Sequence, residues 1–270
     1  MKIWNKILVI IILFFNSDSI FGTAQIPDFL IVNSDTTSLH ANPLELLYNE
    51  NTRPKSFFDK EPCGLTSCWR GYYAYWQLEN NKLYLIKIVD CCDEKVTANL
   101  KKIFGSKFND NKVFAYWVSD TLLSPQGKLI WYEHMRYGSL YEKEVMYVFD
   151  KGIFKDKFEY DNSKSYISAF TQHPDTLKNF LYSRINWNNL PDINDENKRV
   201  FIKITSGETK DSYTIQIMRG FNEILDNEAL RVIKLLPEWD VFYRQGKIYN
   251  MSWTITILFN SEMKQKYYNK

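Results

Sequence analysis

The sequence contains one place where an acid and a histidine are neighbours. Glu133 and His134 end an aromatic run that has the composition of a strand, and two tyrosines and Glu142 follow within a few residues. A carboxylate beside an imidazole is a pair that general acid–base catalysis uses. Successive residues of a strand, however, point to opposite faces. We therefore interpret His134 as a structural residue and predict no catalytic residue, while a secreted hydrolase centred on Glu133 and His134 stays as an alternative.

The remaining motifs do not indicate an enzyme. The sequence contains no HExxH, no GxSxG and no glycine-rich phosphate loop. Its three histidines, His40, His134 and His173, are far apart along the chain. We predict a non-enzymatic protein without a metal site and without a cofactor.

The N-terminal residues have the pattern of a secretory signal. Lys2 and Lys6 precede an unbroken apolar run of nine residues at 7–15, and the small residues Gly22 and Ala24 follow at the spacing of a cleavage site. We predict cleavage after Ala24, with Gly22 as the alternative, and a location in the periplasm or cell envelope. A bilayer span takes about 20 residues, so the nine-residue run favours a cleaved signal. An uncleaved inner-membrane anchor is the alternative.

In an exported protein, the four cysteines are candidates for disulfides. Cys63 and Cys68 lie close together, and Cys91 and Cys92 are adjacent. An even count in an exported chain permits disulfides. A bridge between adjacent cysteines is strained, so we predict pairing between the two groups, with both cross-connectivities open. The spacing is not that of a zinc ribbon, and buried free thiols are the remaining alternative.

Length and composition indicate two ordinary globular domains. The chain has 270 residues, a formal net charge of +2 and no basic tract, so we expect no nucleic-acid partner. Aromatic residues make up 16% of the chain, which favours strands. We predict a signal peptide at 1–24, an aromatic-rich α+β domain at 25–160, a linker at 161–176 and a second domain at 177–270.

The first domain is predicted to be a mostly antiparallel β structure with one or two helices. Residues 25–58 are loop-like apart from a short helix at 44–50. The later patterns predict these elements: strands at 69–78 and 82–89 around a Glu79-Asn80-Asn81 turn, a helix at 95–105, strands at 112–125 and 127–134 around a turn at Pro125-Gln126-Gly127, and a hairpin at 142–160 turning at 150–152. The run WRGY…KLYL resembles one in uncharacterised secreted bacterial proteins. Its alternating Trp and Tyr residues give a second alternative, a carbohydrate-binding platform, although such residues are more typical of core and cross-strand pairs.

The most informative stretch is 225–260. Asp226 is predicted to cap a helix, with Leu225 and Leu230 at the spacing of a hydrophobic staple. Apolar residues recur at helical spacing, and Pro237 ends the helix. After a turn at Gly246, apolar and polar residues alternate in the pattern of a strand with one buried face. The apolar helix face is formed by Ala229, Val232, Ile233 and Leu236.

This order of parts resembles the C-terminal domain of TonB-type proteins. Upstream, 199–220 resembles the first hairpin of that family and 177–187 its leading helix. The resemblance covers about the last third of the chain. The residues that carry it in the central stretch are Leu225, Asp226, Glu228, Ala229, Leu230, Arg231, Val232, Ile233, Lys234, Pro237, Trp239, Gly246 and Lys247.

The resemblance implies a helix-backed three-stranded antiparallel sheet whose last strand lies at an edge. In the family, that edge receives a short extended peptide, the TonB box of an outer-membrane receptor, by strand addition. Ser252, Thr254 and Thr256 would face solvent, as would Lys203 and Gln216 on the neighbouring strands. The partner-binding strand would be Asn250, Met251, Ser252, Trp253, Thr254, Ile255, Thr256, Ile257, Leu258 and Phe259.

These patterns favour an exported, non-enzymatic protein that contacts an envelope or outer-membrane transport component through this module. The partner is expected to be a protein, and a TonB-dependent outer-membrane receptor is one candidate. A homodimer formed through edge strands is also open. A true TonB-type energy transducer with an uncleaved anchor is the alternative, but the eight prolines are scattered and form no Pro-rich spacer.

Overall fold

The computed structural model describes residues 23–134, 136–191, 193 and 196–268. It confirms an α+β architecture in which strands predominate. The chain forms two compact units. The first contains residues up to Ser124 together with Tyr132–Ser139 and Tyr147–Asp156, and the second contains Pro125–Trp131, Leu140–Met146 and the chain from Lys157 onward. Of the predicted signal peptide at 1–24, residues 1–22 lie outside the described residues.

The larger sheet contains nine strands in the order β2-β1-β3-β4-β9-β8-β7, with β6 also paired to β4 and β5 to β6. Strand β1 is parallel to β3, whereas β1 with β2, and β3 with β4, are antiparallel. Strands β7, β8 and β9 contribute residues to both units. The strands are β1 (Asp28–Val32), β2 (Asp35–Leu39), β3 (Tyr72–Glu79), β4 (Lys82–Asp90), β5 (Phe108–Asn109), β6 (Lys112–Phe114), β7 (Thr121–Trp131), β8 (Leu140–Asp150) and β9 (Ile153–Asp161).

Tight turns close the hairpins of this sheet. Asn80 and Asn81 have φ of 49° and 59°, and Lys151 and Gly152 have 49° and 75°. Positive φ at both central residues is the requirement of a type I′ turn, and Asn and Gly meet it at low cost. Both turns were predicted from sequence and are confirmed. At Gly152 a Cβ would lie 2.5 Å from the carbonyl oxygen of Ala115, so close packing also excludes a larger residue there.

The prediction of a loop at 25–58 is wrong. This segment contains β1 and β2, joined by a turn in which Asn33 and Ser34 have φ of 51° and 73°. Two five-residue strands around an Asn-Ser turn are too short to give a clear periodic signal. The expected short helix is a 3₁₀ helix at Pro43–Leu47.

The predicted turn at Pro125-Gln126-Gly127 is also wrong. Strand β7 continues through all three residues, and the segment before it folds as β6 followed by a separate turn. Proline is tolerated because β7 ends the strand order, and an edge strand can lack one N–H. Gly127 has φ of 76°, and a Cβ there would lie 2.8 Å from a carboxylate oxygen of Glu142.

The helix predicted at 95–105 is shorter in the structure. Helix α1 (Leu100–Phe104) begins after Asn99, whose side-chain oxygen accepts the Lys102 N–H at 2.9 Å. Thr97 instead forms a β-bridge with Val89. The cap therefore decides where the helix begins.

Both disulfides lie in the first unit. Cys63 pairs with Cys92 and Cys68 with Cys91, at Cα–Cα distances of 5.7 and 6.5 Å. This is one of the two cross-connectivities that the sequence left open. Asp90 lies beside Cys63 and Cys92 at metal-ligand spacing, but both sulfurs are bonded and offer no thiolate.

The second unit contains a three-stranded antiparallel sheet in the order β11-β10-β14 and a separate hairpin, β12-β13. No described helix has the length and apolar content needed to cross a membrane. The elements are α2 (Ala169–Gln172), α3 (Pro174–Tyr182), β10 (Lys198–Thr205), β11 (Thr214–Arg219), α4 (Glu223–Ile233), β12 (Tyr243–Arg244), β13 (Lys247–Ile248), β14 (Ser252–Phe259) and α5 (Ser261–Tyr268).

One hydrophobic core joins the sheet to its helices. Helix α4 contributes the apolar face predicted from its spacing, and β10 contributes every second residue. Helix α5, which the sequence patterns did not predict, adds Met263 and Tyr267. The main contributors are Leu225, Ala229, Val232, Ile233, Leu236, Val200, Ile202, Ile204, Ile257 and Phe259.

The segment predicted as a linker, 161–176, has defined structure. It contains α2 and the beginning of α3, and Asn162 and Ser168 are fully buried. The Ser168 N–H donates to Asp240 at 2.7 Å, and Tyr166 forms a β-bridge with Val241. These contacts place the segment inside the second unit, so the boundary differs from the predicted one.

Candidate functional site

Strand β14 is the outermost strand of the three-stranded sheet, beside β10. Its side chains alternate as expected from the sequence. Ile257 and Phe259 are buried in the core, and Trp253 and Ile255 pack against it. Ser252, Thr254 and Thr256 are exposed on the other face. One face of the strand therefore holds it on the core, while the other meets solvent.

The register shows which backbone groups of β14 point away from the sheet. The strands pair antiparallel from Lys198↔Phe259 to Thr205↔Ser252, and the next pair is joined by the Ser206 N–H donating to the Met251 oxygen at 2.9 Å. In an antiparallel ladder, hydrogen-bonded pairs alternate with pairs whose backbone groups point outward. The outward positions on β14 are Ser252, Thr254, Thr256 and Leu258.

One end of this outer row is closed. The Leu258 N–H donates to the hydroxyl of Tyr182 at 2.8 Å. Tyr182 is buried and stacks on the rings of Trp187 and Tyr267, which fixes its position. Among the described residues, no hydrogen-bond partner meets the outward N–H groups of Thr254 and Thr256. The open row therefore covers Ser252 to Thr256.

The predicted partner-binding strand was broader than this open row. Asn250 and Met251 precede the strand, and Met251 is hydrogen-bonded through both its N–H and its oxygen to Ser206. The outward N–H of Leu258 is already bound. Trp253, Ile255, Ile257 and Phe259 direct their backbone groups toward β10.

The first residues of β14 are held by an aromatic cluster. The Trp253 ring stacks on Phe242 at 5.5 Å between centroids and meets Trp239 and Trp131 edge-on at 5.8 and 6.0 Å. Trp239 and Phe242 are almost fully buried. Sequence reasoning identified Trp239 but assigned no role to Phe242 or Trp131.

The turn that leads into β14 is tied down by two buried polar residues. The Glu144 carboxylate accepts the Gln245 N–H at 2.7 Å, and Asn162 accepts the Gly246 N–H at 3.0 Å. Asn162 also donates to Glu144 at 3.0 Å. Gln245 and Gly246 both have positive φ, at 51° and 68°, so this is the turn that the sequence predicted at Gly246.

The predicted helix cap at Asp226 is wrong. Helix α4 begins four residues earlier, and the Asn222 side chain accepts the Leu225 N–H at 2.9 Å. Asp226 lies inside the helix, where its carboxylate accepts the Phe221 N–H at 2.8 Å. Both residue types favour caps, and the local sequence does not separate them. The hydrophobic staple predicted between Leu225 and Leu230 required a cap at Asp226, so that prediction is also wrong.

Two of the residues that carry the family resemblance brace α4. Glu228 accepts the Asn186 N–H at 2.6 Å and pairs with Arg231 at 2.7 and 2.8 Å. Burial alone would raise the pKa of Glu228, but the bonds from Arg231 and Asn186 outweigh it and lower that pKa. Glu228 and Arg231 thus join the chain after α3 to α4.

The acid and histidine with catalytic potential lie in the first unit. The Glu133 N–H donates to Ser139 Oγ at 3.0 Å. His134 is exposed, and its ring meets Tyr132 edge-on at 4.8 Å. The nearby Tyr137 hydroxyl is bound by Arg70 at 2.7 Å, and its ring stacks on His40 at 4.9 Å.

The first unit also encloses an ionic cluster that sequence reasoning missed. Asp28 is fully buried, lies 3.3 Å from an Arg70 nitrogen and accepts the Trp76 indole N–H at 2.9 Å. Burial raises the pKa of Asp28 to about 6, although Arg70 and the hydrogen bonds oppose that rise. Burial likewise lowers the pKa of His40 to about 4. Asp28 and Arg70 are closed off from solvent and pair with each other, which is the arrangement of a structural cluster.

The aromatic hairpin offers little exposed platform. Tyr72, Tyr73 and Trp76 are buried. Trp69 is 59% exposed, with the Arg53 guanidinium 5.7 Å from its ring centre. Buried rings serve the core and cross-strand pairs, as the more ordinary interpretation expected.

Comparison with known proteins gives no further guidance. No protein-family model matches this chain, no curated protein matches it, and no solved structure matches it.

Proposed function

We propose that this protein is an exported, non-enzymatic binding protein that takes an extended segment of an envelope protein onto the outer edge of β14. Unpaired N–H and C=O groups on an edge strand are a template for another strand. The observation that carries the proposal is the open row from Ser252 to Thr256 in an otherwise firmly anchored strand. The resemblance to TonB C-terminal domains supports the same conclusion.

The surroundings of β14 support binding at this edge in preference to the opposite one. Both ends of β14 are fixed, by the cluster around Trp253 and by the bond from Leu258 to Tyr182. Strand β11 is the other edge, but its register shifts by one residue near Met218. Such a bulge interrupts a regular ladder and protects an edge from pairing.

The proposal is tested by capture from an envelope fraction with the mature chain, 25–270. Thr254→Pro removes one outward N–H, and it breaks no bond to β10 because Thr254 belongs to an outward pair. We expect this variant to lose the partner. Thr254→Val keeps the N–H and the branched shape, so it should capture the partner as the wild type does. Equal capture by both variants would contradict strand addition at β14.

The N-terminal residue of the native protein distinguishes an exported, cleaved protein from an anchored energy transducer. Mass spectrometry should find a chain that begins at Gln25 in the soluble envelope fraction. An intact Met1 in the inner membrane would favour an anchored energy transducer instead.

A further inference from the structure

A small pocket lies on the solvent-facing side of the three-stranded sheet, between β10 and β11. Its volume is about 220 Å³, which is below the roughly 300–1,000 Å³ of pockets that hold drug-sized ligands. It is therefore suited to a group of about the size of one residue. The lining residues are Asn197, Arg199, Phe201, Arg219, Gly220 and Phe221.

A β-bulge brings the second arginine into this pocket. Phe201 pairs with Arg219, but the next residue, Ile202, pairs with Ile217, so Met218 is the additional residue. In a regular ladder Met218 would lie opposite Phe201. The bulge places Arg219 there instead, and bulges often redirect a side chain in this way.

The pocket combines positive charge with aromatic surface. Arg199 follows the same face of β10 as Phe201, and Phe221 is 50% exposed. Within the described part of the chain, neither Arg199 nor Arg219 has an ion-pair or hydrogen-bond partner. The solvent-facing positions of these three strands, as far as the structure describes them, contain no aspartate or glutamate. The Asp226 carboxylate of α4 lies against Gly220 and is bound by the Phe221 N–H.

We propose that this pocket binds a carboxylate that is attached to a small apolar or aromatic body, as in the C-terminal residue of a peptide. Guanidinium groups bind carboxylates through paired N–H donors. The rings of Phe201 and Phe221 would receive the apolar body. The Asn197 oxygen already accepts a bond from Asn260 at 2.9 Å, so the amide group of Asn197 remains as a donor. This site is independent of the β14 edge.

The test is a nuclear magnetic resonance titration of the mature chain with three probes. N-acetylphenylalanine should give saturable shifts at Phe201, Arg219 and Phe221. N-acetylphenylalaninamide lacks the charge, and inorganic phosphate lacks the apolar body. Each should therefore bind at least about tenfold more weakly than N-acetylphenylalanine. Equal binding of all three probes, or the absence of saturable shifts at the pocket, would overturn the proposal.

Matched variants locate the site. Arg199→Gln and Arg219→Gln should each weaken binding of N-acetylphenylalanine about tenfold. Lys203→Gln removes a positive charge from the same sheet face outside the pocket and should leave the affinity unchanged. Arg219→Lys keeps the charge but loses the paired donors, so it should bind at an intermediate level. Equal weakening by Lys203→Gln would show a diffuse charge effect and would contradict a defined site.

Discussion

Ser252, Thr254 and Thr256 combine the two properties that a pairing edge needs. Their side chains are small and exposed, so they leave access to the backbone. Thr is also favoured in strands because its branched side chain suits an extended backbone. Charged residues or proline at these positions would protect the edge, and the sequence has none there.

Asp240 gives a residue-level prediction about pH. It is fully buried, and its Oδ1 accepts bonds from Ser168 and Thr171 at 2.7 and 2.6 Å. Burial raises the pKa of Asp240 to about 6, against the effect of those bonds. Folding therefore favours the protonated carboxyl of Asp240. The stability that this preference contributes is complete below the unfolded pKa of 3.8 and is lost as pH rises through about 6, where the buried carboxylate becomes charged. Asp240→Asn should unfold at higher urea concentration than the wild type at pH 7.

The raised pKa of Asp240 sets the expected change in the free energy of unfolding, and an exposed glutamate provides the control. One pKa unit corresponds to about 1.4 kcal/mol, so the free energy of unfolding should rise by about 1–3 kcal/mol at pH 7 and by little at pH 4. Glu208→Gln, on an exposed turn, should change neither value. If Asp240→Asn has the same urea midpoint as the wild type at both pH values, Asp240 does not carry the predicted cost.

At the level of elements, Tyr182 decides how long the open edge is. It lies at the end of α3, far from β14 in sequence, and its hydroxyl binds the Leu258 N–H. A short open row limits how much of the sheet another strand can cover. The same bond keeps one end of β14 from unwanted pairing.

Tyr182→Phe should extend the open row to Leu258. Amide exchange at Leu258 should become much faster, and the loss of one bond should cost about 0.5–1.5 kcal/mol of stability. Tyr267→Phe is the matched control, because it loses the bond to Asn179 and leaves Leu258 untouched. If Leu258 exchange stays slow in Tyr182→Phe, the edge is closed by another group.

The sequence predicted elements well where a strong period or a turn signal was present. The alternation in β14, the helical period of α4 and the Asn80-Asn81 turn were all confirmed. Predictions failed where the deciding contact is distant or ambiguous. Pro125 continues a strand because that strand lies at an edge, and Asn222 caps α4 although Asp226 is of an equally suitable type. The roles of Tyr182, Glu144 and Asn162 depend on contacts across many residues, which no local pattern shows.

At the level of the whole molecule, the two units differ in what holds them together. Both disulfides lie in the first unit, where they close segments with sequence separations of 29 and 23 residues. The second unit has no cysteine and depends on the core between α4 and its sheet. Reduction should therefore affect the two units unequally.

Loss of one disulfide should destabilise the first unit by about 3–4 kcal/mol, and loss of both should destabilise it by more, because closing loops of this length restricts the unfolded chain. Amide exchange should rise in β3 and β4 and stay unchanged in β10 and β14. Without reductant, alkylation should add no label to the folded or denatured chain. Four labels without reductant would show that the cysteines are free thiols.

The most direct test of the proposed strand addition is amide exchange of residues 25–270, alone and with any partner captured from the envelope fraction. In the free protein, the amides of Thr254 and Thr256 should exchange fast, while those of Ile255 and Ile257 should be protected by β10. With the partner bound, Thr254 and Thr256 should become protected. Tight binding that leaves the amides of Thr254 and Thr256 exchanging fast would contradict strand addition at β14.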